Sequence, residues 1–186
     1  MPDWSRRLAS QHTSLDDKRK RLEHTVVNAS DIGIANVDVN AIAFAFSFPI
    51  SVYWEDTDAG GIVFFANYLK FFERARTEWL RSLGLEQQQL KQTTGGMFVV
   101  AESNVRYLRP ARLDDELIVT ATLKEIGKAS MIIEQQALLK AEQSSPERVL
   151  LCEGSVRIGW VNVRTLQPQR MPACIIDSMS PRHVIA

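Results

Sequence analysis

Bulky and polar residues begin to alternate at Phe46, where FSFPISVYW predicts a β-strand that tolerates Pro49 near its start or on a sheet edge. The period then changes. In ANYLKFFERARTEWLRSLG, the residues Tyr68, Phe72, Ala75, Trp79 and Leu83 follow at steps of four, three, four and four, which is one face of a helix. Leu69, Phe71 and Leu80 widen that face, so the helix should be deeply buried. Arg81 falls in its last turn and Gly84 suits its C-terminal cap. LEQQQLKQTTGG reads as a short link. Four strand-like segments follow: MFVVAESNVRYL, ELIVTATLKEI, SMIIEQQALLKAE and RVLLCEGSVRIGWVNV. In the second of these, Leu117, Val119, Ala121 and Leu123 alternate with Glu116, Thr120, Thr122 and Lys124, and only Ile118 interrupts the period of two. The joints RPARLDD, GKA and EQSSPE are too short for parallel crossovers and favour antiparallel neighbours.

A strand, a long helix and then four strands define an α+β class, an antiparallel sheet of about five strands wrapped around one helix. A single helix cannot cover such a sheet. The leftover apolar surface and an open edge predict a dimer with sheets joined edge to edge. Residues 1–44 differ from the rest. MPDWSRRLASQHTSLDDKRKRLEH is polar and charge-rich without a sustained helical stripe, and it reads as a mobile extension. Its KRKR run reads as a solvated face. The folded domain is expected over 45–176, with a C-terminal tail at 177–186.

Composition narrows the function classes. The 186 residues suffice for one domain with a real core. Lys plus Arg number 22 and Asp plus Glu 22, so no global field argues for nucleic acid or an anionic membrane. The longest apolar runs, AIAFAF and IVFFA, are too short to span a bilayer, and the N-terminus lacks the order of a secretory signal. Cys152 and Cys174 form no CxxC and have no histidine near them at metal spacing. A cytoplasmic protein is the expectation, without metal or redox cofactor.

The candidate chemistry lies in EDTDAGGIVFFANY, residues 55–68. The core stretch 45–175 contains no histidine, and the chain has no GxSxG, GxxxxGK[ST] or GxGxxG. Histidine-based triads and the common phosphate cradles are thereby disfavoured. The loop offers carboxylates instead. Asp56 and Asp58 precede Gly60 and Gly61, and the helix begins shortly afterwards. Glycines allow close backbone approach to a ligand, and a helix start presents unpaired N–H groups. An ionised acid beside such an oxyanion site suits attack on an activated acyl group, directly or through water.

DTDAGGIVFFANYLKFFERARTEWL resembles the signature of the 4-hydroxybenzoyl-CoA thioesterase family, and most closely its YbgC-type acyl-CoA thioesterase branch. RYLRPARLDDEL and NVRTLQPQRMP match that branch in order and spacing, so the resemblance covers roughly 46–176. It implies a hotdog fold, assembled as homodimers and often as homotetramers, that hydrolyses acyl-CoA. It implies no cofactor, since CoA belongs to the substrate. Carried over by position, the catalytic aspartate falls on Asp58 and the carbonyl-polarising amide on Phe65. Many members of the branch have a histidine where this chain has Phe65, so any help from an imidazole is lost, while a backbone role is not.

Each residue also has a plainer reading. Asp58 could simply cap the helix, and on residue type alone that is as good as catalysis; the motif favours catalysis. Asp56 reads as structural, and Gly60 and Gly61 as turn residues, with Gly61 counted with Phe65 and Tyr68 as substrate-binding. Tyr68 reads as core whose hydroxyl could reach the pocket. Glu73, Arg74, Arg76 and Glu78 read as a solvated helix face. Arg106, Arg109, Arg112 and Lys128 are candidates for CoA phosphates, with surface ion pairs an equal reading. Two rivals stand beside the thioesterase. A hotdog hydratase would need a core histidine, which is missing. A non-catalytic module would hold an acyl carrier protein or an envelope-associated partner.

Overall fold

A computed structural model of the protein describes residues 46–141 and 148–179. The proposed extension at 1–44 and most of the tail lie outside the described residues. Strand β1 (Phe46–Ser51) leads through a single 3₁₀ turn (Trp54–Asp56) and the acidic loop into helix α1 (Asn67–Ser82). Helix α2 (Gln87–Thr94) follows, then β2 (Gly96–Tyr107), β3 (Glu116–Ile126), β4 (Ser130–Leu139), β5 (Val149–Asn162) and a short α3 (Ala173–Ser178). The segment read as a plain link thus holds a helix. QQQLKQTT has one apolar anchor, the buried Leu90, too little to show a periodic stripe. Gly95 closes α2 in the left-handed region at φ 65°.

The five strands form one antiparallel sheet in the order β1-β3-β4-β5-β2. β1 is therefore an edge strand, which accommodates Pro49 opposite Ile118. The chain crosses from one edge of the sheet to the other while forming α1 and α2, which is why β1 and β2 end up farthest apart.

Helix α1 packs on β1, β3 and β4. Its buried face carries Tyr68, Phe71, Phe72, Ala75, Trp79 and Leu80, as the spacing predicts. Leu69 departs from expectation and is 41% exposed, because it flanks the face on the side turned towards β2 and β5. Gly84 ends the helix at φ 74°, with the Gly84 amide on the Arg81 carbonyl (2.9 Å) and the Leu85 amide on the Leu80 carbonyl (2.9 Å). Two apolar clusters fill the space between helix and sheet, one around Phe71, Leu117 and Val119 and one around Trp79, Met131, Ile133 and Trp160. Each such side chain stabilises the fold by about 1.5–3 kcal/mol.

The core also holds a polar tie. Gln135 of β4 is buried; its Nε2 donates to the Phe72 carbonyl of α1 (2.9 Å) and the Thr120 carbonyl of β3 (3.3 Å). Thr120, assigned by alternation to the polar side, is buried too, and its hydroxyl oxygen accepts from the Gln136 amide (3.1 Å). Two adjacent elements are thus fastened to the helix by one amide side chain.

Gly96 opens β2 directly against the buried indole of Trp160, where an added Cβ would lie 2.4 Å from Cε2 and Cζ2. Gly96→Ala should therefore lower the unfolding free energy by about 1–3 kcal/mol through overpacking. A reduced urea midpoint with an unchanged m-value checks this.

Candidate active site

The acidic loop is a tight hairpin built on the end of β1. Thr57 and Val63 form an antiparallel bridge, and the Asp58 amide donates to the Ile62 carbonyl (2.9 Å). At the tip, the Gly61 amide donates to the Asp58 carbonyl (3.0 Å) and the Gly60 amide to Asp58 Oδ1 (2.7 Å). Gly61 sits at φ 73°, a conformation that costs other residues steric strain. A Cβ at Gly60 would come within 3.0 Å of Asp58 Oδ1. The two glycines are thus turn residues that leave the Asp58 carboxylate exposed at the hairpin tip.

Asp56 anchors this hairpin to the helix. It is 2% exposed, and its Oδ2 accepts from the Tyr53 amide (3.0 Å). Its carbonyl accepts twice, from the Phe64 amide (2.9 Å) and from Asn67 Nδ2 (2.9 Å). Asn67 is the first residue of α1 and is itself buried. Its importance was not anticipated. The clue was available: an amide side chain at a helix start, directly after an acidic turn, is placed to bond a backbone carbonyl.

Phe64 and Asn67 close the next turn, the Asn67 amide on the Phe64 carbonyl at 2.8 Å. Phe65 and Ala66 are its central residues, and neither backbone amide donates to a group among the described residues. Among the described residues the Phe65 amide is therefore a free donor at the start of α1, on the segment that follows Asp58. The Phe65 ring is 59% exposed and stands edge-on to Tyr107 (centroids 6.1 Å apart), with Phe64 beside it at 4.6 Å.

Tyr68 lies below this surface. It is buried, its ring meets Tyr107 at 5.8 Å, and its hydroxyl oxygen accepts from the Ala111 amide (2.9 Å). Burial pushes its phenol above the usual range. The hydroxyl thus ties α1 to the loop before β3. That loop in turn supports the hairpin, through the Val63 amide on the Ala111 carbonyl (2.9 Å) and the bridge between Ile62 and Arg112.

Of the four cations considered for phosphates, Arg106 pairs with Glu153 at 2.5 Å. Arg109, Arg112 and Lys128 make no ion pair within the described residues. Arg76 departs from the solvated face assigned to it: it is half-buried, and its Nη1 donates to Gln135 Oε1 at 2.6 Å. Cys152 is buried beside the core, and burial pushes its thiol up to about 12, which rules it out as a thiolate nucleophile at neutral pH. Among the described residues no group of three or more His, Cys, Asp or Glu could hold a metal ion, and no helix is long and apolar enough to cross a membrane.

The fold has known counterparts. Residues 52–178 match the thioesterase-like superfamily. The acyl-CoA thioesterase YbgC of Haemophilus influenzae is 39% identical over 127 residues, covering 68% of this chain and 88% of the relative. The acyl-CoA thioester hydrolase YbgC of Escherichia coli is 37% identical over 131 residues, covering 70% and 92%. Among solved structures, a probable thioesterase from Bartonella henselae superposes with a TM-score of 0.62 at 32% identity, covering 69% of this chain and 99% of that one. The fold and these relatives therefore define a hotdog-fold thioester hydrolase, and the chain belongs to the thioesterase-like superfamily. Within it, the similarity runs to the YbgC-type enzymes.

Asn67→Ala should lower the unfolding free energy by about 1 kcal/mol, the net worth of one buried hydrogen bond. Asn67→Asp should cost more, because a carboxylate has no hydrogen to offer the Asp56 carbonyl. Urea melts of the two variants beside the parent check that order.

Proposed function

We propose that the protein hydrolyses acyl-CoA thioesters to the free acid and CoA, with Asp58 as the catalytic carboxylate and the Phe65 amide as the polarising donor. The observation that carries this reading is the Phe65 amide at the start of α1, unbonded among the described residues, in the turn that directly follows the hairpin carrying the exposed Asp58. The thioester oxygen accepts from that amide, aided by the positive end of the α1 dipole. Charge that develops on the oxygen in the tetrahedral transition state is held by a donor already in place.

Asp58 then acts in one of two ways. It attacks the carbonyl carbon, expels the CoA thiolate and leaves a mixed anhydride that water cleaves, or it removes a proton from a water that attacks. In either route the carboxylate must be ionised and free to move on the hairpin tip. Its bond from the Gly60 amide orients it, with no counter-cation paired to it among the described residues. Gly61 lets a substrate approach the backbone there, since nothing lies within 4 Å of the position a Cβ would occupy. No metal or redox cofactor enters this scheme, and CoA is part of the substrate.

The same reading assembles the chain as a homodimer, sheets joined edge to edge, and pairs dimers into a homotetramer. Support comes from β2, an edge strand whose residues 100–104 are exposed. An acyl carrier protein as thioester donor would use the same hairpin.

Asp58→Asn keeps an oxygen for the Gly60 amide and removes the charge. Turnover of acyl-CoA should fall on the order of a hundredfold or more, with fold and oligomer unchanged. Thiol release from short, long and aromatic acyl-CoAs by the two proteins measures it. Equal activity would reduce Asp58 to a turn residue, and thioester binding without turnover by the parent would make the protein a binding module.

A further inference from the structure

A cavity of about 460 Å³ runs along α1 on the side facing β2 and β5. It begins at Leu69, four residues past Phe65, and continues down the helix to Arg76. Phe65, Leu69 and Arg76 follow one flank of the chain at helical spacing. Arg76 lies nine positions past the first residue of α1, a rise of about 14 Å. Helical side chains lean back towards the N-terminus, so the guanidinium lies nearer the hairpin than that.

The near part of the cavity is apolar, with Leu69, Phe72 and Val105. Its charge is one-sided: Lys70, Arg74 and Arg76 line it against Glu73 alone. The Glu73 carboxylate accepts from the Thr77 hydroxyl (2.7 Å) and forms no ion pair with Arg76. Arg76 has five N–H donors and among the described residues bonds one neutral partner, Gln135 Oε1, whose amide is locked by the Phe72 and Thr120 carbonyls. Burial depresses the guanidinium's affinity for its proton, with Glu73 acting in the opposite sense. A half-buried arginine whose nearest carboxylate, Glu73, is bonded to Thr77 and not ion-paired to it is a poor way to stabilise a fold and a good way to meet an anion.

We propose that this cavity receives the acyl group, and that Arg76 selects acyl groups ending in a carboxylate. The inference rests on the thioesterase reading. The carbonyl end lies at the Phe65 amide, the methylene chain passes Leu69 and Phe72, and the terminal carboxylate pairs with Arg76. Gln135 is a positioning residue that holds the guanidinium fork towards the cavity.

The test compares ω-carboxyacyl-CoAs with neutral acyl-CoAs of equal chain length: glutaryl with pentanoyl, adipyl with hexanoyl, suberyl with octanoyl. 4-Hydroxybenzoyl-CoA is added because a phenolic oxygen could also meet an arginine. The readout is the ratio of kcat/KM within each pair, for the parent, Arg76→Gln and Asn104→Asp. Asn104 lines the cavity from β2, and its replacement adds a negative charge without touching the Arg76–Gln135 bond. The parent should prefer at least one carboxylate over its neutral partner by about tenfold or more, and both variants should lose most of that preference. If Arg76→Gln does not fold, Asn104→Asp decides alone. A parent that prefers every neutral partner, a preference that survives in the folded variants, or an Arg76-dependent preference for the hydroxyaryl thioester overturns the inference. Turnover of no thioester at all overturns the thioesterase reading, and this inference with it.

Discussion

The carbonyl oxygen of Asp56 is the point on which the site depends. It accepts from the Phe64 amide and from Asn67 Nδ2, and so joins the end of the hairpin to the first residue of α1. The side chain of the same residue takes the Tyr53 amide and fixes the exit from β1. Asp56, which accepts all three bonds, and Asn67 are both buried. A buried carbonyl or carboxylate that loses its donor costs about 1–3 kcal/mol, so the three partners hold one another in place. The proposed chemistry needs a carboxylate and an amide held near one another, and this arrangement anchors the segment that carries both.

The placement of α1 has a second consequence. Tyr68 bonds the loop before β3, and Gln135 bonds the helix from β4, so the helix is drawn over β1, β3 and β4. Part of the remaining sheet face borders a cavity lined by α1, β2, β4 and β5, while Trp160, Ile158 and Phe98 are packed in the second apolar cluster. The core is thus off-centre by construction. The cavity begins at Leu69, in the first turn of α1. The polar ties that position the helix and the open space beside it are two aspects of one packing solution.

Much of this was legible in the chain. The change from a period of two to the helical period at residue 67 marked the boundary where the site forms. The DTDAGG segment announced a turn with an acid at its tip, and Asp56 was assigned its structural part. What escaped notice were polar residues whose partners are distant in sequence. Arg76 and Gln135 are 59 positions apart, and nothing near Arg76 distinguishes it from a solvated helix charge. Thr120 followed the alternation of β3 onto the polar side, yet it is buried against β4. Leu69 failed the other way: helical spacing assigns it to the buried face, and the off-centre helix leaves it beside the cavity. Periodicity reports which side of an element is apolar. It cannot report that a sheet extends beyond the helix that covers it.

The central claim is that a thioester carbonyl binds at the Phe65 amide, facing Asp58. The most direct measurement is a crystal structure with an acyl-CoA analogue in which a methylene replaces the thioester sulfur, leaving an uncleavable ketone. The account predicts the ketone oxygen about 2.7–3.1 Å from the Phe65 nitrogen, with the Asp58 carboxylate directed at the carbonyl carbon or at a water beside it. A ketone bound away from the α1 start, or a Phe65 amide bonded to another group of the protein in that complex, would contradict it.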